Sequence, residues 1–279
     1  MKRKFFFFLS VLALFSSFLA FAQQEIILAT TTSVQDTGLL DMILPLFEKE
    51  SGYRVKAIAV GSGQALALAG RGEADVVLCH APDVEKQYVA DGTLMNRRLV
   101  MHNAFLLAGP AADPAKVKGI TKAIDALKKI AEAKAPFVSR GDDSATHKLE
   151  KKLWEEAGIK PAGEWYLESG QGMGNTLGIA GEKEAYVITD RGTYLAFQKL
   201  TGLTVLLEGD PVLLNLYHVL EVNPEKFSKV NAKGGKAFAD FLLSATVQDL
   251  ISQYGVEKFG EALFHPDAGR TEAAVLQQK

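Results

Sequence analysis

The feature that most constrains this fold is the alternation of short apolar runs with longer amphipathic segments. Such alternation predicts strands that are each followed by a helix, which is typical of an α/β protein with largely parallel sheets. In the segment 38–51 the apolar residues recur at helical spacing and form one face: Leu39, Leu40, Ile43, Leu46 and Phe47. The 279 residues give enough chain for one large or two modest domains with a real core.

The shorter apolar runs predict strands and the segments between them predict helices. The predicted strands are Ile26–Ala29, Val55–Val60, Ala74–Cys79, Phe137–Ser139, Trp165–Glu168, Tyr186–Thr189 and Thr204–Leu207. The predicted helices are Gly38–Ser51, Gln64–Gly70, Asp83–Asp91, Thr121–Ala133, Ser144–Ala157, Arg191–Lys199 and Pro224–Ser244. Two longer runs, 99–108 and 212–222, are candidates for strands that cross between two domains, because no flexible linker is visible. Two ordinary central strands are the alternative.

The first 22 residues have the pattern of a secretory signal peptide. Three positive residues precede an apolar stretch from Phe5 to Leu19, and Ala20-Phe21-Ala22 gives a small-x-small cleavage pattern. We therefore expect cleavage after Ala22 and a soluble, monomeric periplasmic protein. A permanent N-terminal anchor is disfavoured because the apolar run is short for a membrane span. The formal net charge of −2 argues against a nucleic-acid partner, and the single Cys79 excludes an internal disulfide.

Hydroxyl groups and glycines follow the first two predicted strands. Thr30-Thr31-Thr32-Ser33 comes directly after the first, and Gly61-Ser62-Gly63 after the second. The carboxyl ends of strands are where α/β folds bind ligands, and hydroxyls and backbone N–H groups there can donate to an anion. A helix cap and a tight turn are the structural alternatives. Neither segment has the spacing of a P-loop or a nucleophile elbow.

Three junctions in the second half of the chain repeat this chemistry. Residues 139–147 read Ser-Arg-Gly-Asp-Asp-Ser-Ala-Thr-His, and Arg140 offers a planar fork of donors suited to an oxyanion. Asp142 and Asp143 repel anions, so we expect them to orient Arg140 or cap the next helix, and we expect His147 to be structural. The segments 170–176 and 189–192 add further Gly, Thr and Arg residues. Five such junctions together indicate a shared anion site.

With Thr-Thr-Thr-Ser at 30–33, Gly-Ser-Gly-Gln-Ala at 61–65, Ser-Arg-Gly-Asp-Asp-Ser at 139–144 and Thr-Asp-Arg-Gly at 189–192, the chain resembles the tungstate-binding proteins of bacterial ABC uptake systems. The resemblance implies a two-lobed class II periplasmic binding fold with two crossover strands and a ligand in the interlobe cleft. Lobe I would comprise 23–104 plus 213–279, and lobe II 105–212.

The same resemblance implies a role and a set of ligand-binding residues. The chain would capture tungstate, or molybdate, and deliver it to an ABC permease, with no cofactor, no free metal cation and no enzymatic step. The first lobe would contribute Thr31, Thr32, Ser33 and Ser62, and the second would contribute Arg140, Ser144, Thr146 and Thr189.

Other functions stay open at this point. A receptor for phosphate or another tetrahedral oxyanion would benefit from an aspartate pointing into the site, such as Asp142, Asp143 or Asp190. A secreted hydrolase could be drawn from Ser62 or Ser144 with His147 and Asp142. A metal-cation receptor is disfavoured because the five histidines do not cluster in the sequence: His80, His102, His147, His218 and His265.

Overall fold

The computed structural model describes residues 24–277. The predicted signal peptide, 1–22, and its cleavage site after Ala22 lie outside the described residues. Within them, no helix is long and apolar enough to cross a membrane.

The described chain alternates ten strands with twelve helices. The strands are β1 (Glu25–Thr31), β2 (Arg54–Val60), β3 (Val76–Cys79), β4 (Leu94–Gly109), β5 (Phe137–Ser139), β6 (Tyr166–Glu168), β7 (Val187–Asp190), β8 (Thr204–Leu207), β9 (Leu214–Val222) and β10 (His265–Pro266). The helices are α1 (Thr32–Asp36), α2 (Leu39–Ser51), α3 (Ser62–Gly70), α4 (Pro82–Ala90), α5 (Ala123–Ala133), α6 (Ala145–Glu156), α7 (Met173–Glu182), α8 (Arg191–Thr201), α9 (Ala232–Leu242), α10 (Ala245–Gln253), α11 (Val256–Phe259) and α12 (Glu272–Leu276).

The sheets are mixed, whereas the sequence predicted largely parallel pairing. Strand β1 pairs in parallel with β2 and β3, and β5 pairs in parallel with β6. Every pair made by β4 or β9 is antiparallel. These two long strands run in opposite directions through the middle of the molecule, which explains the difference.

Strands β4 and β9 join two halves that have separate cores. Along Leu94–Ala104, β4 pairs with β9, and along Phe105–Gly109 it pairs with β7 and β8. One half packs around Phe47, Tyr217 and Phe238, and the other packs around a second set of buried aromatic residues: Phe137, Trp154 and Tyr186. The predicted lobe boundaries at 104/105 and 212/213 stay predictions.

Most predicted bounds differ from the observed ones by one or two residues, and the largest differences are at one long strand and one helix. Strand β4 begins at Leu94, and residues 211–213 form a 3-10 turn before β9. The predicted helix 224–244 is shorter in the structure, because α9 begins only after Asn231, whose side chain accepts a hydrogen bond from Gly234 N. Pro224 lies instead in a turn that precedes α9.

Glu150 of α6 is a buried carboxyl in the core of the second half. Its Oε1 accepts hydrogen bonds from Trp154 Nε1 at 3.1 Å and Tyr166 OH at 2.7 Å. Burial raises the pKa of Glu150 from 4.5 to about 7, although these hydrogen bonds lower it. The folded chain therefore holds this proton more tightly than the unfolded chain. The contribution of Glu150 to the free energy of unfolding is therefore fully present below about pH 4.5 and is lost as the pH rises through about 7.

We expect Glu150→Gln to stabilise the fold at pH 8 relative to the native chain, by roughly 1–2 kcal/mol, because the amide oxygen accepts the same bonds and never ionises. Urea unfolding at pH 5 and pH 8 measures the effect. Glu155→Gln, at an exposed position of the same helix, is the control. If the native chain and Glu150→Gln lost the same stability between pH 5 and pH 8, the raised pKa of Glu150 would be contradicted.

Candidate functional site

The eight predicted ligand-binding residues lie at or beside junctions between strands and helices. In the first half, Thr31 ends β1, Thr32 and Ser33 begin α1, and Ser62 is the first residue of α3. The predicted strand ended at Ala29, before Thr30, but β1 extends to Thr31 and α1 starts at once. Seven of the eight are buried, and Thr32 is half-buried.

The hydroxyl of Ser62 is the clearest uncommitted donor in this region. Ser62 is 1% exposed, and its Oγ has no hydrogen-bond partner among the described residues. An unpaired buried hydroxyl costs about 1–3 kcal/mol, so a native structure retains one where a ligand satisfies it. Ser62 also stands at the N-terminus of α3, where the helix dipole favours an anion.

Arg140 follows β5 and is held in a fixed orientation. Its side chain is 3% exposed, its Nε donates to Gln171 O at 2.8 Å, and its Nη2 donates to Asp142 Oδ2 at 2.5 Å. Asp142 therefore orients Arg140, as expected from the sequence, and Arg140 in this pair is buried. Among the described contacts, the Nη1 group of Arg140 makes no hydrogen bond, so both N–H groups of Nη1 remain for a ligand.

The junctions of the two halves meet face to face. A methyl group on Gly61 would lie 3.4 Å from Ser144 Cα, so the start of α3 contacts the start of α6. A methyl group on Gly172, which precedes α7, would lie 3.5 Å from Thr32 Cβ. The N-terminal ends of α3, α6 and α7 therefore lie where the two halves meet, a region called the interlobe cleft below, and their dipoles all favour negative charge there.

Asp36 adds a carboxylate at the edge of this cleft. Its Oδ2 accepts a hydrogen bond of 3.2 Å from Gly174 N across the two halves. Burial raises the pKa of Asp36, while that bond and the nearby Arg140 lower it.

The remaining predicted residues differ in how they relate to this cleft. Ser144 caps α6 by accepting a hydrogen bond from His147 N at 3.3 Å, and Thr146 is buried in the first turn of that helix. Thr189 lies in β7, and its hydroxyl donates to Asp190 O at 3.2 Å. No described contact joins Thr189 to the other seven residues.

The aspartates that could have served as acceptors for a protonated ligand are committed elsewhere. Asp142 bonds Arg140 and the backbone N–H of Ser144, and Asp143 pairs with Lys151 on the surface. Asp190 caps α8 by accepting bonds from the backbone N–H and the hydroxyl of Thr193. Burial raises the pKa of Asp190, whereas these bonds and Arg140 lower it.

The residues considered for a hydrolase do not form a relay among the described residues. The Nδ1 atom of His147 accepts a hydrogen bond from Asp143 N at 3.0 Å, and its ring bonds neither Ser62 nor Ser144. The described residues also contain no group of three or more His, Cys, Asp or Glu side chains that could hold a metal ion.

A buried polar chain that the sequence pattern did not reveal links the two halves beneath the cleft. Thr31 Oγ1 contacts Ser33 Oγ at 3.0 Å, and Ser33 Oγ contacts His80 Nε2 at 3.3 Å. His80 Nδ1 contacts Asn215 Oδ1 at 2.8 Å. Asn215 Nδ2 in turn donates to Asn103 Oδ1, and Asn103 Nδ2 donates to Asp190 Oδ1 at the start of α8.

A signal for His80 was present in the sequence. It directly follows the apolar run that forms β3, so it occupies the same kind of junction as Ser62 and Arg140. Nothing comparable marked Asn103 and Asn215, because they lie inside β4 and β9.

Comparison with known proteins identifies relatives over most of the chain. Residues 21–246 match the family model described as a PBP superfamily domain. The chain is 50% identical over 251 residues to the tungstate-binding protein TupA of Peptoclostridium acidaminophilum, covering 89% of this chain and 88% of that protein.

Solved structures agree with this result. The crystal structure of the tungstate ABC transporter from Geobacter sulfurreducens is 45% identical with a TM-score of 0.76, covering 84% of this chain and 100% of that one. The tungstate-binding protein TupA from Desulfovibrio alaskensis G20 is 42% identical with a TM-score of 0.72, covering 88% and 99%. The predicted two-lobed α/β periplasmic binding fold is therefore confirmed.

Proposed function

Because the chain belongs to the PBP superfamily, in the family that includes the tungstate-binding proteins of ABC transporters, we propose that it captures tungstate in its interlobe cleft and delivers it to an ABC permease. Molybdate, which has the same shape and charge, is the second ligand of this proposal. We place the mature, monomeric chain in the periplasm, with its signal peptide cleaved after Ala22. Binding makes and breaks no covalent bond.

One observation carries this proposal: the cleft retains uncommitted hydrogen-bond donors, and the aspartates considered as acceptors for a protonated ligand have other partners. Ser62 Oγ and the Nη1 group of Arg140 are free among the described contacts, whereas Asp142 and Asp190 are already hydrogen-bonded. Tungstate near neutral pH is a dianion whose oxygens only accept hydrogen bonds. Charged hydrogen bonds contribute roughly 1.5–3 kcal/mol each, so a few of them offset the partial dehydration of the ligand.

The same geometry supports selection by size. Sulfate carries the same charge as tungstate but is smaller, and donors fixed by helix ends and by the Arg140 hydrogen bonds cannot all close onto it. Phosphate is disfavoured for a different reason, since its protonated form needs a buried acceptor, and the aspartates considered for that task have other partners.

A serine hydrolase is the competing function. Ser33 contacts His80, and His80 contacts Asn215, in the order of a nucleophile, a general base and the group that orients the base. Burial, however, lowers the pKa of His80 to about 4, which makes it a weak base at neutral pH. Ester turnover lost in Ser33→Ala would favour the enzyme.

Calorimetry of ligand-stripped protein tests the proposal. We expect one tungstate per chain, comparable binding of molybdate, and at least about tenfold weaker binding of sulfate and phosphate, a difference that needs only about 1.4 kcal/mol. Small-angle scattering of the same samples should show a smaller radius of gyration with tungstate, since the lobes close on it. Preferred binding of phosphate, or no tungstate binding, would contradict the proposal.

A further inference from the structure

The directions of the hydrogen bonds beneath the cleft can be assigned from one end of the chain. Asp190 Oδ1 accepts the backbone N–H of Thr193 at 2.8 Å, so this oxygen is an acceptor. Asn103 must therefore turn its amide nitrogen towards Asp190 and its oxygen towards Asn215. Asn215 in turn offers its oxygen to His80, so Nδ1 of His80 carries the proton.

This order determines what Ser33 can do. In a neutral imidazole with the proton on Nδ1, Nε2 is an acceptor. The hydroxyl of Ser33 lies 3.3 Å from Nε2 and 3.0 Å from Thr31 Oγ1, and only Ser33 can donate across the first of these contacts. When Ser33 donates to His80, the hydrogen between the two hydroxyls comes from Thr31, and Ser33 presents only lone pairs elsewhere. An oxyanion needs donors, so Ser33 as it stands repels the ligand that its position should serve.

From this geometry we propose that His80 couples oxyanion capture to the uptake of one proton. The proton from solvent binds at Nε2, which then donates to Ser33 Oγ. The hydrogen of Ser33 turns into the cleft and bonds the ligand. The inference rests on the proposed function, and it assigns His80 as a positioning residue rather than a ligand contact.

The surroundings of His80 fit this role. Its ring is 5% exposed and stacks on Tyr217 with centroids 4.6 Å apart. An interlobe cavity of about 320 Å³, lined by His80 and Asn215 among others, gives protons a route to the ring. The pKa of His80 is lowered to about 4, because burial and, less strongly, Arg140 outweigh the Asn215 hydrogen bond and Glu85, which raise it. A bound dianion adds negative charge and raises this pKa.

The sign of the pH effect follows from that change. The complex binds one more proton than the free protein between the two pKa values of His80, so tungstate affinity falls as the pH rises through this window, by up to about tenfold per unit. Asp36 and Asp190 also have raised pKa values and could take up a proton near an anion. Variants must therefore separate them from His80.

The test is calorimetry with micromolar tungstate between pH 5.5 and 7.5, in buffers of different ionisation enthalpy, which counts protons per ligand. We expect uptake of up to one proton in the native chain and almost none in His80→Gln, whose amide N–H is a permanent donor to Ser33. His80→Asn keeps a donor to Asn215 and should also lose the uptake. Asp36→Asn, the control, should retain it.

The outcomes separate the two proposals. Tungstate binding by the native chain without proton uptake at any of these pH values overturns the coupling alone. Uptake that persists in both His80 variants overturns it too, because the proton then belongs to a carboxyl group: Asp36 if the uptake disappears in Asp36→Asn, and Asp190 if it does not. Absence of tungstate binding by the native chain overturns the proposed function and, with it, this inference.

Discussion

Replacing Arg140 by Gln is expected to weaken tungstate binding by at least about tenfold, because the cleft loses its buried positive charge. Removing one partner of a buried, charge-assisted contact costs roughly 2–5 kcal/mol, so a larger loss is within the expected range. Arg140→Lys keeps the charge but loses the planar fork, and we expect it to bind more weakly than the native chain.

The controls for this prediction follow from the contacts of Arg140. Its bond to Asp142 also orders the loop before α6, so circular dichroism and thermal unfolding must show that Arg140→Gln is folded. Arg191→Gln is the matched variant, since Arg191 instead pairs with Glu261 across the halves and with Glu208. Native tungstate affinity in folded Arg140→Gln would remove this residue from the site.

Replacing Gly61 by Thr is expected to weaken tungstate binding about 5- to 150-fold by holding the lobes apart. Gly61 has φ of −67°, which any residue adopts, and Thr is as good as Gly at a helix N-cap, so the first lobe should tolerate it. A Cβ there already touches Ser144 at 3.4 Å. Further atoms would overlap α6, and overpacking costs roughly 1–3 kcal/mol in the closed form.

Gly61→Ala is the matched control, because its single methyl group makes only ordinary van der Waals contact with Ser144. We expect near-native affinity for it. Calorimetry measures the binding, and scattering with saturating tungstate should give a larger radius of gyration for Gly61→Thr than for the native chain. Equal radii and equal affinities in Gly61→Thr and Gly61→Ala would show that the two junctions do not need to meet.

Short-range patterns were sufficient for the elements that the sequence predicted well. The strands 137–139 and 204–207 have the predicted bounds, because apolar runs bounded by Gly, Pro and polar residues report local backbone preference directly. The same locality revealed Ser62 and Arg140 as residues that follow strands. The predicted start of helix 224–244 was wrong for a local reason as well, because the side chain of Asn231 caps the helix and α9 begins only after it.

Only the tertiary structure decided which partners these residues have. His80 and Asn215 are 135 positions apart in the chain. Asn103 lies inside β4, where the apolar sequence pattern indicates a buried strand but not the partner of this side chain. Whether a hydroxyl such as Ser62 is free, or one such as Ser33 is engaged, depends on such distant contacts. The sequence therefore determined which residues can donate to an oxyanion, but the direction of each hydrogen bond is set by partners that folding alone brings within 3.5 Å.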